Sequence, residues 1–141
     1  MTISINNCKI FQGDKMENFI KHSFDISQVV RARRLPTSSK KSVDMIRRHN
    51  VFIFMHDCEK DYILQDGRIL HAKNNDIVFF PTDSEYTVIT QKHGETYSLN
   101  FDLRSEVALS PFLFHPKTLT LFLNLLKMRA RLGRRNIQGM K

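Results

Sequence analysis

The sequence predicts an all-β domain followed by one C-terminal α-helix. Three observations predict it. Residues 51–103 divide into short alternating segments, VFIFMH, DYILQ, RILHAK, DIVFFP, EYTVITQ and TYSLNFDL. Little more than Cys58-Glu59, Asp66-Gly67, Asn74-Asn75, Asp83-Ser84 and His93-Gly94 separates them, as tight turns require. After Pro111 the apolar spacing becomes helical. Closely spaced antiparallel strands bury their apolar faces only by closing into a sandwich or barrel, and a small barrel holds a ligand at its mouth or lumen.

Residues 2–11 read as one or two short strands. Asp14 with Glu17 has capping-box spacing, and Met16, Phe19 and Ile20 follow at i, i+3, i+4, which predicts a short helix start. Phe24 to Val30 reads as a strand. In residues 31–48, RARRLPTSSKKSVDMIRR, Pro36 and the Ser/Thr/Lys cluster break any period, so a flexible basic arm is expected. In the strand region, Asp66-Gly67 between apolar alternations predicts a two-residue type I′ hairpin, and His93-Gly94 a second hairpin with a longer loop. Pro81 closes the strand that ends at Phe80. Lys117 to Leu132 reads as a helix with Pro116 near its first turn; Leu119, Phe122, Leu123, Leu126 and Ala130 form one apolar stripe, Leu121, Leu125, Met128 and Leu132 another.

At 141 residues the chain suits one domain able to bury a core without disulfides. Phe is abundant at eleven residues and Trp is absent. Cys8 and Cys58 follow no motif spacing, which predicts a reduced, cytoplasmic chain. No signal peptide or membrane-length apolar run is read, so no membrane partner is expected. The net charge of +8 is uneven: residues 1–50 carry net +6, residues 51–110 net −5 and residues 111–141 net +7. A nucleic-acid-binding barrel would carry the positive charge on the barrel itself. A small basic nucleic-acid-binding protein acting through the flanks therefore stands only as an alternative.

His56-Asp57-Cys58-Glu59 is the most metal-like cluster. On a strand His56 and Cys58 share a face, with His71 as the best further ligand, and these three would serve the alternative of a metal-dependent enzyme. No nucleophile elbow, paired carboxylates or phosphate-binding glycine loop is present, so no catalytic residue, cofactor or metal is assigned. Alternation places Tyr62 with Leu64, Ile77 with Phe79, Tyr86 with Val88, and Tyr97 with Leu99 and Phe101. Apolar walls with a few hydroxyl handles are how a small-molecule pocket is built.

The segment DYILQDGRILHAKNNDIVFFPTDSEYTVITQKHGETYSLNFDL resembles the cupin-like N-terminal sensor domain of AraC/XylS-type bacterial transcription regulators. The turn glycine, the Gly-Asp strand start, the closing proline, the histidine and the terminal phenylalanine of that pattern correspond to Asp66-Gly67, Asn75-Asp76, Pro81, Tyr86 and Phe101. The resemblance covers roughly residues 45–103. It departs at Asn75, which replaces a glycine but tolerates positive φ. It departs again at Tyr86, which stands where cupin enzymes place a metal-binding histidine. Asp83 and Thr90 also differ from the second metal motif, and His56 lacks the paired histidine of the first.

The resemblance implies a cupin-like β-barrel (a double-stranded β-helix, or jelly roll) over residues 1–110, with a dimerisation helix and basic tail in 111–141. It implies a non-enzymatic sensor without cofactor that binds a small-molecule effector through His56, Tyr62, Phe79, Tyr86, Tyr97 and Phe101. A homodimer would form through Leu119, Phe122, Leu123, Leu126 and Met128. DNA would be met only through a C-terminal pair of helix-turn-helix units, which the residues after Pro111 do not supply. The alternative of a metal-dependent cupin enzyme would use His56, Cys58 and His71.

Overall fold

A computed structural model describes residues 2–5, 9–12, 15–17, 22–36, 42–105 and 109–115. They form twelve strands: β1 (Thr2–Ile5), β2 (Lys9–Gln12), β3 (Lys15–Glu17), β4 (His22–Pro36), β5 (Ser42–Ile46), β6 (Asn50–His56), β7 (Glu59–Leu64), β8 (Ile69–Ala72), β9 (Ile77–Phe80), β10 (Glu85–Lys92), β11 (Glu95–Leu103) and β12 (Phe112–His115). The large sheet has the order β1-β4-β11-β6-β9-β12-β2-β3, and the small sheet β5-β10-β7-β8. From β4 to β11 the chain passes between the sheets at every step except the hairpin β7–β8.

The central strands of the large sheet are apolar at consecutive positions because both of their faces are covered. Val51, Ile53 and Met55 of β6, Val78 and Phe80 of β9, and Leu113 of β12 face the small sheet. Packed with them are Tyr62, Leu64, Leu70, Ala72 and Tyr86 from the small sheet. Phe52, Phe54, Ile77, Phe79, Phe112 and Phe114 point the other way, into a second cluster with Phe24, Ile26, Tyr97, Leu99 and Phe101. All of these belong to the large sheet. The Phe24 and Phe79 rings nonetheless lie 5.0 Å apart, although β11 and β6 separate their strands. A flat sheet would hold them roughly 14 Å apart at about 4.7 Å per strand, so the sheet coils over its own face. Register shifts between Asn100 and Phe101 and between Asp102 and Leu103, where β11 meets β4, add the local twist that this needs.

The architecture corrects several expectations. The described residues form an all-β, two-sheet sandwich with no helix among them, not a barrel with an attached helix. The segment 117–132, with Leu119, Phe122, Leu123, Leu126 and Met128, lies outside the described residues. β12, beyond the expected boundary at residue 110, sits inside the large sheet between β9 and β2, because an apolar Phe-Leu-Phe run fills both of its faces. The helix start expected around Met16 gives way to β3, paired with β2. Three apolar residues at helical spacing are too few to offset helix nucleation when a strand partner is at hand. The basic segment 31–48 is not an arm where it is described: β4 runs to Pro36 and β5 occupies 42–46. Pro36 is tolerated because it stands at the strand end.

The turns also differ in kind. Gly67 has φ of 89°, but Asp66 is not in the positive-φ region, and a type I′ turn needs both. Gly67 N–H donates to Leu64 O (3.0 Å) and Leu64 N–H to Arg68 O (2.8 Å), which makes a three-residue loop closed by a left-handed glycine. Asn75 does adopt positive φ, at 71°. His93-Gly94 is no hairpin, because β10 and β11 belong to different sheets and the chain crosses there. Gly94 lies against the other crossing, at Asp57 and Cys58, closely enough that an added Cβ would stand 2.4 Å from Asp57 O.

Candidate functional site

Between the sheets, at the side where β4 leads to β5, lies a cavity of about 180 Å³. Strand alternation builds it. Val43 and Met45 of β5, with Arg47 just beyond, point inward at every second position, as do Lys60 and Tyr62 of β7 and Tyr86, Val88 and Thr90 of β10. The large sheet contributes Leu35, Pro36, Ile53, Thr96 and Ser98. Among the described residues that line it, none is a carboxylate or a histidine. A wider hollow around Arg48, His49, Asn50 and Asp102 is mostly polar, and there His49 Nδ1 lies 3.0 Å from Asp102 Oδ1.

An aromatic group anchors the cavity. Tyr86 stacks on Phe80 with ring centroids 3.9 Å apart and planes 12° apart, and Tyr62 meets Tyr86 edge-on at 5.6 Å. Arg47 Nε donates to the Tyr86 hydroxyl at 2.6 Å. Its backbone is held on both sides: Arg47 N–H donates to Ser84 O and Asp83 N–H to Arg47 O, each at 2.8 Å. The guanidinium is therefore fixed before any ligand arrives.

Burial governs the titrating groups here. It pushes the Tyr62 phenol well above its ordinary value, with further upward influence from Tyr86 and Cys58. Burial also raises Tyr86, against the opposing pull of Arg47. The Lys60 ammonium is held below its ordinary value, chiefly by burial; Cys58 opposes this and Arg47 adds to it. The Cys58 thiol is raised by burial, with Lys60 pulling it down.

These directions set an alkaline prediction. The phenols and thiol stay neutral longer in the folded chain, so their contribution is complete below the ordinary values of 9.0 for Cys58 and 10.0 for the tyrosines. It is lost as pH rises through the raised folded values. Lys60 acts in the opposite sense, since its burial penalty is relieved as it deprotonates. Phenolate absorbance should therefore show Tyr62 and Tyr86 titrating later in the native protein than in denaturant. The urea midpoint should fall above pH 10. Coincident native and denatured titrations would contradict the burial of Tyr62 and Tyr86.

The six residues expected to bind ligand do not converge. Tyr62 and Tyr86 line the cavity. Phe79 and Phe101 lie on the other face of the large sheet, with ring centroids 6.4 Å apart in the phenylalanine cluster. Tyr97 shares that face, and its hydroxyl lies 3.5 Å from Glu95 Oε2; the His56 ring is 6.2 Å from the Tyr97 ring. The alternative ligand set also disperses. Cys58 is buried and its sulfur donates to Glu95 O at 3.2 Å, while exposed His71 pairs with Asp61 at 2.7 Å. Among the described residues no group of three or more His, Cys, Asp or Glu side chains could hold a metal ion, and no helix is long and apolar enough to cross a membrane.

Sequence reasoning missed Arg47, Lys60, Thr96 and Ser98. For Arg47 a signal was present: Val43, Met45 and Arg47 alternate inside the segment read as an arm. The chain matches no protein-family model, and no curated protein matches it.

Proposed function

We propose that this chain is the effector-sensing and dimerisation domain of an AraC-like transcription regulator, with the inter-sheet cavity as its small-molecule site. The observation that carries the reading is a cavity floored by stacked aromatics, walled by Val43, Met45 and Val88, and supplied with a few fixed polar groups. That is the composition of a small-molecule pocket. Strands from both sheets contribute to it, so an occupant would bias the spacing of the sheets, and through it the presentation of attached DNA-binding domains. Such a shift is limited to the ligand's differential affinity for the two states.

Thermal-shift screening of the chain against a metabolite library tests this reading. A true effector at a concentration of about 100 times its Kd adds about 2.7 kcal/mol to stability. Val88→Trp should abolish the shift by filling the cavity. Hits that persist in Val88→Trp, or a broad library without hits, would overturn the assignment. Sedimentation should in turn show a dimer, and a monomer at all concentrations would remove the dimerisation part.

A further inference from the structure

We propose that the cavity takes a small organic carboxylate, its acid group held between Arg47 and Lys60 and its apolar body lying against Val43, Met45 and Val88. This rests on the reading of the cavity as the effector site and adds the chemistry of the effector.

Among the described residues two cations line this cavity and no acid does. Among the described residues neither Arg47 nor Lys60 enters a salt bridge; the ion pairs there involve Arg34, His49, Arg68, His71, Arg104 and His115. Among the described residues the groups acting on the Lys60 ammonium, beside burial itself, are Cys58 and Arg47, with no Asp or Glu among them. Two like charges partly withdrawn from water without a counter-ion carry an electrostatic penalty that an anion would offset. Arg47 spends its Nε on Tyr86 at 2.6 Å, which leaves the terminal nitrogens of the guanidinium for a carboxylate. Thr90 adds a hydroxyl from the small sheet, and Thr96 and Ser98 add theirs from the large sheet.

The remaining lining is aliphatic and aromatic, which suits an organic acid better than a bare inorganic anion. A cavity of about 150 Å³ holds one benzene. At about 180 Å³ this one fits a single ring or a short chain beside the acid group.

The test uses the full chain with benzoate and hexanoate, their neutral counterparts benzyl alcohol and 1-hexanol, and inorganic phosphate. Melting temperature and calorimetric affinity are read for the unaltered protein, Lys60→Met, Arg47→Met and Val88→Trp. At least one acid should bind, its neutral counterpart should bind about tenfold or more weakly, and phosphate should not compete. Lys60→Met should weaken the acid by a similar factor and should also raise the melting temperature of the free protein, since it removes an unpaired, half-buried charge. That second readout stands even where Arg47→Met fails to fold.

Neutral compounds that bind as tightly as acids, with binding still abolished by Val88→Trp, would sink the carboxylate and leave the effector site intact. Phosphate binding as well as either acid would reduce the two cations to an ion sink and overturn the proposal. So would an absence of binding by both acids, or an unchanged or lowered melting temperature in Lys60→Met.

Discussion

Phe52→Ala is expected to destabilise the domain by about 3–5 kcal/mol, the range for truncating a buried aromatic. Phe52 is fully buried and is the hub of the phenylalanine cluster. Its ring lies 4.9 Å from Phe101, 5.2 Å from Phe24, 5.5 Å from Phe79 and 6.2 Å from Phe114. These partners come from β11, β4, β9 and β12, so one truncation loosens five strands at once. Collapse around the void is limited because the neighbours are themselves large rings anchored on paired strands. A loss of this size takes a large share of the roughly 5–15 kcal/mol that holds a typical domain together. Urea unfolding measures it. Phe52→Leu keeps most of the volume and should cost clearly less. A loss under about 1 kcal/mol for Phe52→Ala would mean that the large sheet does not coil over its own face as described.

Gly94→Ala is the second change with a large expected effect, and its mechanism is the reverse, too much matter instead of too little. The added methyl would stand 2.4 Å from Asp57 O, 2.7 Å from Asp57 C and 2.9 Å from Cys58 Cβ. The first two are backbone atoms, so no rotamer change relieves the contact. The crossing from β10 to β11 must then lift off the crossing from β6 to β7, which also strains the bond from Cys58 sulfur to Glu95 O. Overpacking costs about 1–3 kcal/mol in cores that adjust, and more where they do not. The expectation here is about 3 kcal/mol or above, a fall in melting temperature of roughly 10 °C for a chain of this length. Gly67→Ala provides the contrast. Nothing lies within 4 Å of its added methyl, and the cost is confined to a left-handed φ of 89°, about 1–2 kcal/mol. Equal losses at the two glycines would contradict the close approach at Gly94.

Much of the strand region was legible because local chemistry and global packing agree there. Asn75 was read as a residue that tolerates positive φ, and it has φ of 71°. Tyr62 and Tyr86 were singled out by alternation and do line the cavity. The same alternation also selected Phe79, Tyr97 and Phe101, which face away from it. Period two shows which residues share a face but not which of two buried faces meets the other sheet, and in β6 and β9 both are buried.

Charge misled in one place and a strand boundary in another. Arg31, Arg33 and Arg34 made residues 31–36 look like a solvated arm, yet they are exposed positions of a long strand that also supplies Phe24, Ile26, Val29 and Ala32 to the core and Leu35 and Pro36 to the cavity. Lys60 was passed over because it falls between the Cys58-Glu59 turn and the segment read as a strand from Asp61, whereas β7 already begins at Glu59, and its inward direction follows only from the register of β7 with β10. The hairpin expected at His93-Gly94 failed for a topological reason. A short connection between two strands reads the same whether they pair or pass to opposite sheets.

The pairing of β4 with β11 bears on how the protein is made. Beyond Asp25, where β1 ends its pairing, β4 has one neighbour among the described strands, and that neighbour is translated only after six further strands. A nascent chain emerging from the ribosome must carry this long, half-apolar ribbon unaccompanied until Leu103 has cleared the exit tunnel. Arg31, Arg33 and Arg34 then act as gatekeepers, repelling a second ribbon of the same kind during the wait. Exchanging them for neutral residues would leave the finished fold nearly untouched while diverting newborn chains into inclusion bodies.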